Sequence, residues 1–165
     1  MKKTILFKTL VDILFVLHIV GLFGILLILP FGVFNFNEVD IGITNFSIFY
    51  WLIILAGFSA YIIFLRGLYF LRKIARNLLS NKHFSLVVIN NIKKSGTHFL
   101  LTGILSLGIL ILLWFSKLFH GKLEFGYDIN LMIPFFLMII GLFLIIQSNS
   151  LFIAKGFKDE NDLTV

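Results

Sequence analysis

Four stretches of this chain are long and almost wholly apolar, and they leave little choice of fold. Crossing the hydrocarbon core of a bilayer takes about 20 apolar residues in a helix. Residues 9–34 meet that length with only Asp12 and His18 as ionisable groups, and residues 43–65 meet it with no charge. Residues 96–115 carry only His98, and residues 129–154 carry no charge. Of the 165 residues 59% are hydrophobic and 13% charged, against about 25% charged in a soluble domain. A domain this small leaves much of its surface facing its solvent, so the solvent for most of this surface is lipid.

The boundaries have physical markers. Pro30 and Gly32 loosen the end of the first segment, and Asn35, Asn37, Glu38 and Asp40 mark an aqueous loop. Arg66, Arg72, Lys73 and Arg76 stop the second, Lys117 and Lys122 the third, and Lys155 and Gly156 the fourth, with Gly156 suited to a helix C′ position. Tyr50, Trp51, Trp114, Phe115 and Tyr127 gather near the edges, where interfacial aromatics are favoured. Lys2 and Lys3 precede the first segment as in a signal peptide, but the run is too long for one and no small-residue cleavage site follows. The expectation is an all-α, integral membrane four-helix bundle forming one domain, 1–165. Its helices lie at about 9–34, 43–71, 85–116 and 129–155, and an acidic tail follows at 156–165.

Lys and Arg asymmetry sets the orientation. The N-terminus carries Lys2, Lys3 and Lys8, and the connection between helices two and three carries Arg66, Arg72, Lys73, Arg76, Lys82, Lys93 and Lys94. The other two loops carry only Lys117 and Lys122. Both termini and the middle connection are therefore expected in the cytoplasm, with the chain in the inner membrane. The net charge of +6 reads as attraction to anionic lipid rather than to nucleic acid. The chain has no cysteine, which excludes disulfides, thiolate metal sites and thiol nucleophiles.

In the middle connection Leu68, Leu71, Ile74, Ala75, Leu78 and Leu79 recur at helical spacing, with Arg72, Lys73, Arg76 and Asn77 between them. This spacing predicts an amphipathic continuation of helix two, its charged face near the lipid headgroups. Ser80, Asn81, Lys82 and His83 break the pattern. After Phe84, Ser85 is a good N-cap for a short helix over residues 86–94, which joins helix three at Gly96. The segment reads either as a connector on the inner leaflet or as a platform for a partner protein.

The run LRKIARNLLSNKHFSLVVINNIKKSG and the closing stretch KGFKDENDLTV resemble the middle and final signatures of a bacterial membrane family named domain of unknown function 2975. The chain departs from that family at Lys82 and His83, where members carry a glycine-containing turn. The resemblance implies four membrane helices and no activity that can be transferred. It also implies a small helix-turn-helix regulator as a neighbour, and so as a cytoplasmic partner.

Ionisable and polar groups inside a membrane segment are costly. Asp12, His18, Arg66, His98, Gln147 and Asn149 all fall in the half of the membrane next to the basic connection. They are expected either to form a polar network, with Asp12 facing Arg66 or His98, or to make interhelical hydrogen bonds worth about 0.6 kcal/mol each. Ala56 with Ala60 and Gly21 with Gly24 are candidates for close helix contact. The acidic tail, with Asp159, Glu160 and Asp162, has Arg72, Lys73 or Arg76 as prospective partners, or a partner protein.

The sequence holds no phosphate-binding glycine loop, zinc-binding His-Glu-x-x-His helix or nucleophile elbow. The expectation is a non-enzymatic protein with no cofactor, metal or direct nucleic-acid contact. Its role is accessory or regulatory, and its partner-binding candidates are Arg72, Lys73, Arg76, Phe84, Asn90, Lys93, Glu160 and Asp162. Homo-oligomers fit the same pattern. The alternative is a subunit of a small transporter or channel using the level of Asp12, His18 and Asn149.

Overall fold

A computed structural model of the protein describes residues 2–28, 48–79, 85–119 and 129–163. Among these residues there are four long helices and no strand: α1 (Lys2–Ile28), α2 (Ile48–Leu79), α3 (Leu86–Phe119) and α4 (Met132–Leu163). All four are long and apolar enough to cross a membrane. A short 3-10 turn, Ile129–Leu131, leads into α4. Pro134 sits in the first turn of α4, where its missing N–H breaks no helical bond.

Successive helices run antiparallel, as their contacts show. Asp12 meets Arg72 while His18 meets Tyr61, Gly67 meets Phe99 while Ile74 meets Val88, and Ile89 meets Ser148 while Gly103 meets Pro134. Among the described residues the extensive contacts join chain neighbours only: α1 with α2, α2 with α3, and α3 with α4. The bundle therefore has three closed seams, and α1 and α4 share no comparable contact.

The distribution of polarity is inverted relative to a water-soluble bundle. Leu17, Val20, Phe23, Leu27, Phe136, Ile139, Phe143 and Ile146 face outward, while Asn91, Ser95, Thr102 and Ser148 are buried. That inversion is what lipid as solvent selects, because interior hydrogen bonds and packing, rather than burial of grease, distinguish inside from outside. The 22 residues between Lys94 and Lys117 span about 33 Å as helix, matching a hydrocarbon thickness of roughly 30 Å.

The helices can be set against the sequence reading at three points. The first helix begins at Lys2 rather than near residue 9. The expected continuation of helix two through Leu79 is one helix with the membrane segment, and α3 starts at Leu86 as expected but runs unbroken through Gly96, which is not a joint. α4 passes through Gly156 to Leu163, so residues 156–163 are helix rather than a separate tail. Lys155 binds Asp159 one turn on, an i,i+4 pair that carries the helix past the glycine.

Candidate functional site

The basic end of the bundle is also its best-packed part. Ile74 of α2 and Val88 and Ile92 of α3 form a buried cluster, with Leu71, Leu78, Leu144 and Leu151 packed around it. Leu68 and Ala75 are buried alongside. The apolar face of the amphipathic segment is thus used in packing one helix against another. Arg76 and Lys73 project outward from the same stretch. Ser85 caps α3 as its sequence predicts: the Val88 N–H reaches the Ser85 hydroxyl at 3.3 Å, and the N–H groups of Val88 and Ile89 reach its carbonyl at 3.0 and 3.1 Å.

Two serines stitch this end together. The fully buried Ser95 donates to the Gly67 carbonyl (2.9 Å), linking α3 to α2, and Ser148 donates to the Ile89 carbonyl (2.9 Å), linking α4 to α3. Below them α3 and α4 touch backbone to backbone. A Cβ on Gly96 would lie 2.7 Å from the Gly141 carbonyl oxygen, and one on Gly141 would lie 2.6 Å from the Leu100 nitrogen. Only hydrogen fits at either position.

Asp12 does not face Arg66 or His98. Its carboxylate accepts from Arg72 Nε at 2.5 Å, and Lys8 Nζ lies 3.9 Å away one turn back on α1. Arg72 also lies over the Phe15 ring, 5.0 Å from its centroid. Arg66 is exposed and makes no ion pair among the described residues. His98 Nδ1 lies 2.7 Å from the Lys94 carbonyl oxygen of its own helix, and its ring packs on Phe70. His18 likewise engages the Leu14 carbonyl (2.8 Å), while Tyr61 donates to the His18 carbonyl (2.9 Å). Gln147 and Asn149 are exposed on α4. The six groups therefore do not converge: Asp12 pairs with Arg72, and Nδ1 of each imidazole is engaged by a carbonyl of its own helix.

The partner-binding candidates fare differently. Arg72 is engaged with Asp12, whereas Lys73 is exposed with its ammonium 5.0 Å over the Tyr69 ring, and Arg76 is exposed in the last turn of α2. Asn90 and Lys93 line an open groove between the start of α3 and the end of α4, completed by Leu86, Ile89, Ser148, Asn149 and Phe152. Its volume is about 540 Å³, and Phe152 is largely exposed in it. Glu160 is exposed on the last turns of α4, and Asp162 lies on the same helix. Asp159 pairs with Lys155 rather than with Arg72, Lys73 or Arg76. Phe84 lies outside the described residues. What the sequence reading missed was the glycine seam, although the i, i+7 spacing of Gly96 and Gly103 on α3 was there to be seen.

A family model described as "Protein of unknown function (DUF2975)" matches residues 22–165. The match takes in the end of α1 and all of α2, α3 and α4. No curated protein and no solved structure matches the chain.

Proposed function

The chain belongs to the DUF2975 family, and on that premise we propose that it is a non-enzymatic, multi-pass protein of the bacterial inner membrane with an accessory or regulatory role. Both termini and the α2–α3 connection lie in the cytoplasm. Its basic end is a rigid platform for a soluble protein partner, of which a small helix-turn-helix regulator is the leading candidate. The observation that carries this reading is the groove between α3 and α4. It is an apolar trough floored by Leu86, Ile89 and Phe152, edged by Lys93, Asn90 and Asn149, at the end of the molecule where the outward-facing cations collect. Such a trough suits the apolar face of a partner helix, with Lys93 and Arg76 meeting acidic side chains at the rim. Rim charges steer and orient a partner more than they tighten it.

A photoreactive residue at position 76 or 93, in cells, tests the proposal. The expected result is one soluble protein cross-linked from both positions and none from Leu142 on the lipid-facing side. The adduct should be lost in the double variant Arg76→Glu/Lys93→Glu and weakened by high salt, which screens exposed charges. Adducts to lipid alone from all three positions would overturn the reading.

A further inference from the structure

A second cavity lies near the middle of the membrane span, where the bundle lacks its fourth seam. It has a volume of about 340 Å³ and is lined from all four helices, by His18 of α1, Ala60 and Tyr61 of α2, Thr102 and Ser106 of α3, and Leu137 of α4. Because α1 and α4 make no extensive contact, this is a groove between them with α2 and α3 as its floor, open sideways to lipid. Thr102 and Ser106 lie 8 and 12 residues beyond Lys94, about 12–18 Å along α3, which is near the midplane. The volume falls within the range of roughly 300–1,000 Å³ typical of small-molecule sites.

The hydrogen-bonding inventory of the lining is lopsided. The Tyr61 and Thr102 hydroxyls already donate to the carbonyls of His18 and His98, so each has only acceptor capacity left. His18 Nδ1 faces the Leu14 carbonyl oxygen at 2.8 Å. A carbonyl can only accept, so Nδ1 carries a proton, and in the tautomer with that proton alone Nε2 is an acceptor. The Ser106 hydroxyl makes no hydrogen bond among the described residues and supplies a spare donor. A ligand matching this set must give a proton to one of these acceptors and accept one from Ser106, and it carries no charge, since a charge at this depth costs several kcal/mol.

We propose that the groove binds an uncharged amphiphile with a hydroxyl head and an apolar tail, taken laterally from the bilayer. The head sits among His18, Tyr61 and Ser106, and the tail runs out between α1 and α4 past Leu137. A saturated acyl chain would fill the same space but leave the polar lining unmatched. An ether would accept from Ser106 but has no proton for the acceptors.

The test uses the full chain in phosphatidylethanolamine–phosphatidylglycerol vesicles with a diazirine-bearing hexadecanol as photoprobe, adducts being mapped by mass spectrometry. Adducts should fall on groove residues, and hexadecan-1-ol should compete about tenfold better than hexadecane or hexadecyl methyl ether, the worth of one net hydrogen bond. That advantage should vanish in His18→Phe/Ser106→Ala, whose side chains hold no contact between helices through hydrogen bonds. Gly57→Leu should abolish groove labelling, because a Cβ at Gly57 meets nothing within 4 Å and so extends into the cavity without a clash. Each variant is scored only after its thermal midpoint matches the parent, and Ala60→Phe is the second filling variant. Equal competition by hexadecane, or groove labelling that survives both filling variants, would overturn the proposal.

Discussion

The seam between α3 and α4 and the seam between α1 and α2 are built on different principles. α3 and α4 meet through shape: Gly96 and Gly141 bring backbone against backbone, Gly103 faces the Pro134 carbonyl, and Ser148 adds a buried hydrogen bond. α1 meets α2 through a few discrete attachments. These are the Asp12–Arg72 pair, the Tyr61 hydroxyl on the His18 carbonyl, and ring contacts of Phe15 with Tyr69 and His18 with Phe64. Val11 is the one buried hydrophobic residue of α1 among those described. In a solvent as apolar as leucine, grease alone gives two helices little reason to associate. A continuous close-packed seam and a set of polar and aromatic pins are two ways to supply that reason, and only the first tolerates no change of volume.

The contrast can be broken in order of effect. Gly141→Leu forces a side chain into the Leu100 backbone, which cannot yield. The unfolding free energy in detergent should fall by about 3 kcal/mol, the upper end of overpacking costs, or the chain should fail to assemble. Arg72→Ala leaves the Asp12 carboxylate with only Lys8 of its own helix beside it and should cost about 1–2 kcal/mol. It should expose α1 to proteolysis before α2–α4, and the swap Asp12→Arg/Arg72→Asp should recover part of the loss. Tyr61→Phe removes one hydrogen bond to α1 and should cost about 0.6 kcal/mol in the same melts. Gly24→Leu, on the open face of α1 with nothing within 4 Å, should change stability by no more than about 0.5 kcal/mol. Were Gly24→Leu as damaging as Gly141→Leu, the distinction between the two seams would fail.

Much of this architecture was legible in the residues. Length and hydropathy fix four helices because a spanning segment must satisfy its own backbone, and Ser85 marks the start of α3 because its hydroxyl answers an orphan N–H. The pairings were less legible. Asp12 reads as a partner for Arg66 if depth alone is counted, but the register of α1 on α2, with Tyr61 at the His18 carbonyl, places Arg72 opposite it instead. The end of α4 was misread because Gly156 has the chemistry of a C′ residue, while the Lys155–Asp159 pair that carries the helix onward is a weak local signal. Neither groove could be seen in the sequence, since each depends on where neighbouring helices stop touching.

The claim on which the rest depends is that the tightly packed, cation-bearing end faces the cytoplasm. The chain has no cysteine, so single cysteines placed at Arg76 and at Lys117 can be labelled in intact cells with a membrane-impermeant maleimide. The account predicts labelling of the position-117 variant from outside, and of the position-76 variant only after the inner membrane is breached. Labelling of position 76 in intact cells, with position 117 protected, would contradict it.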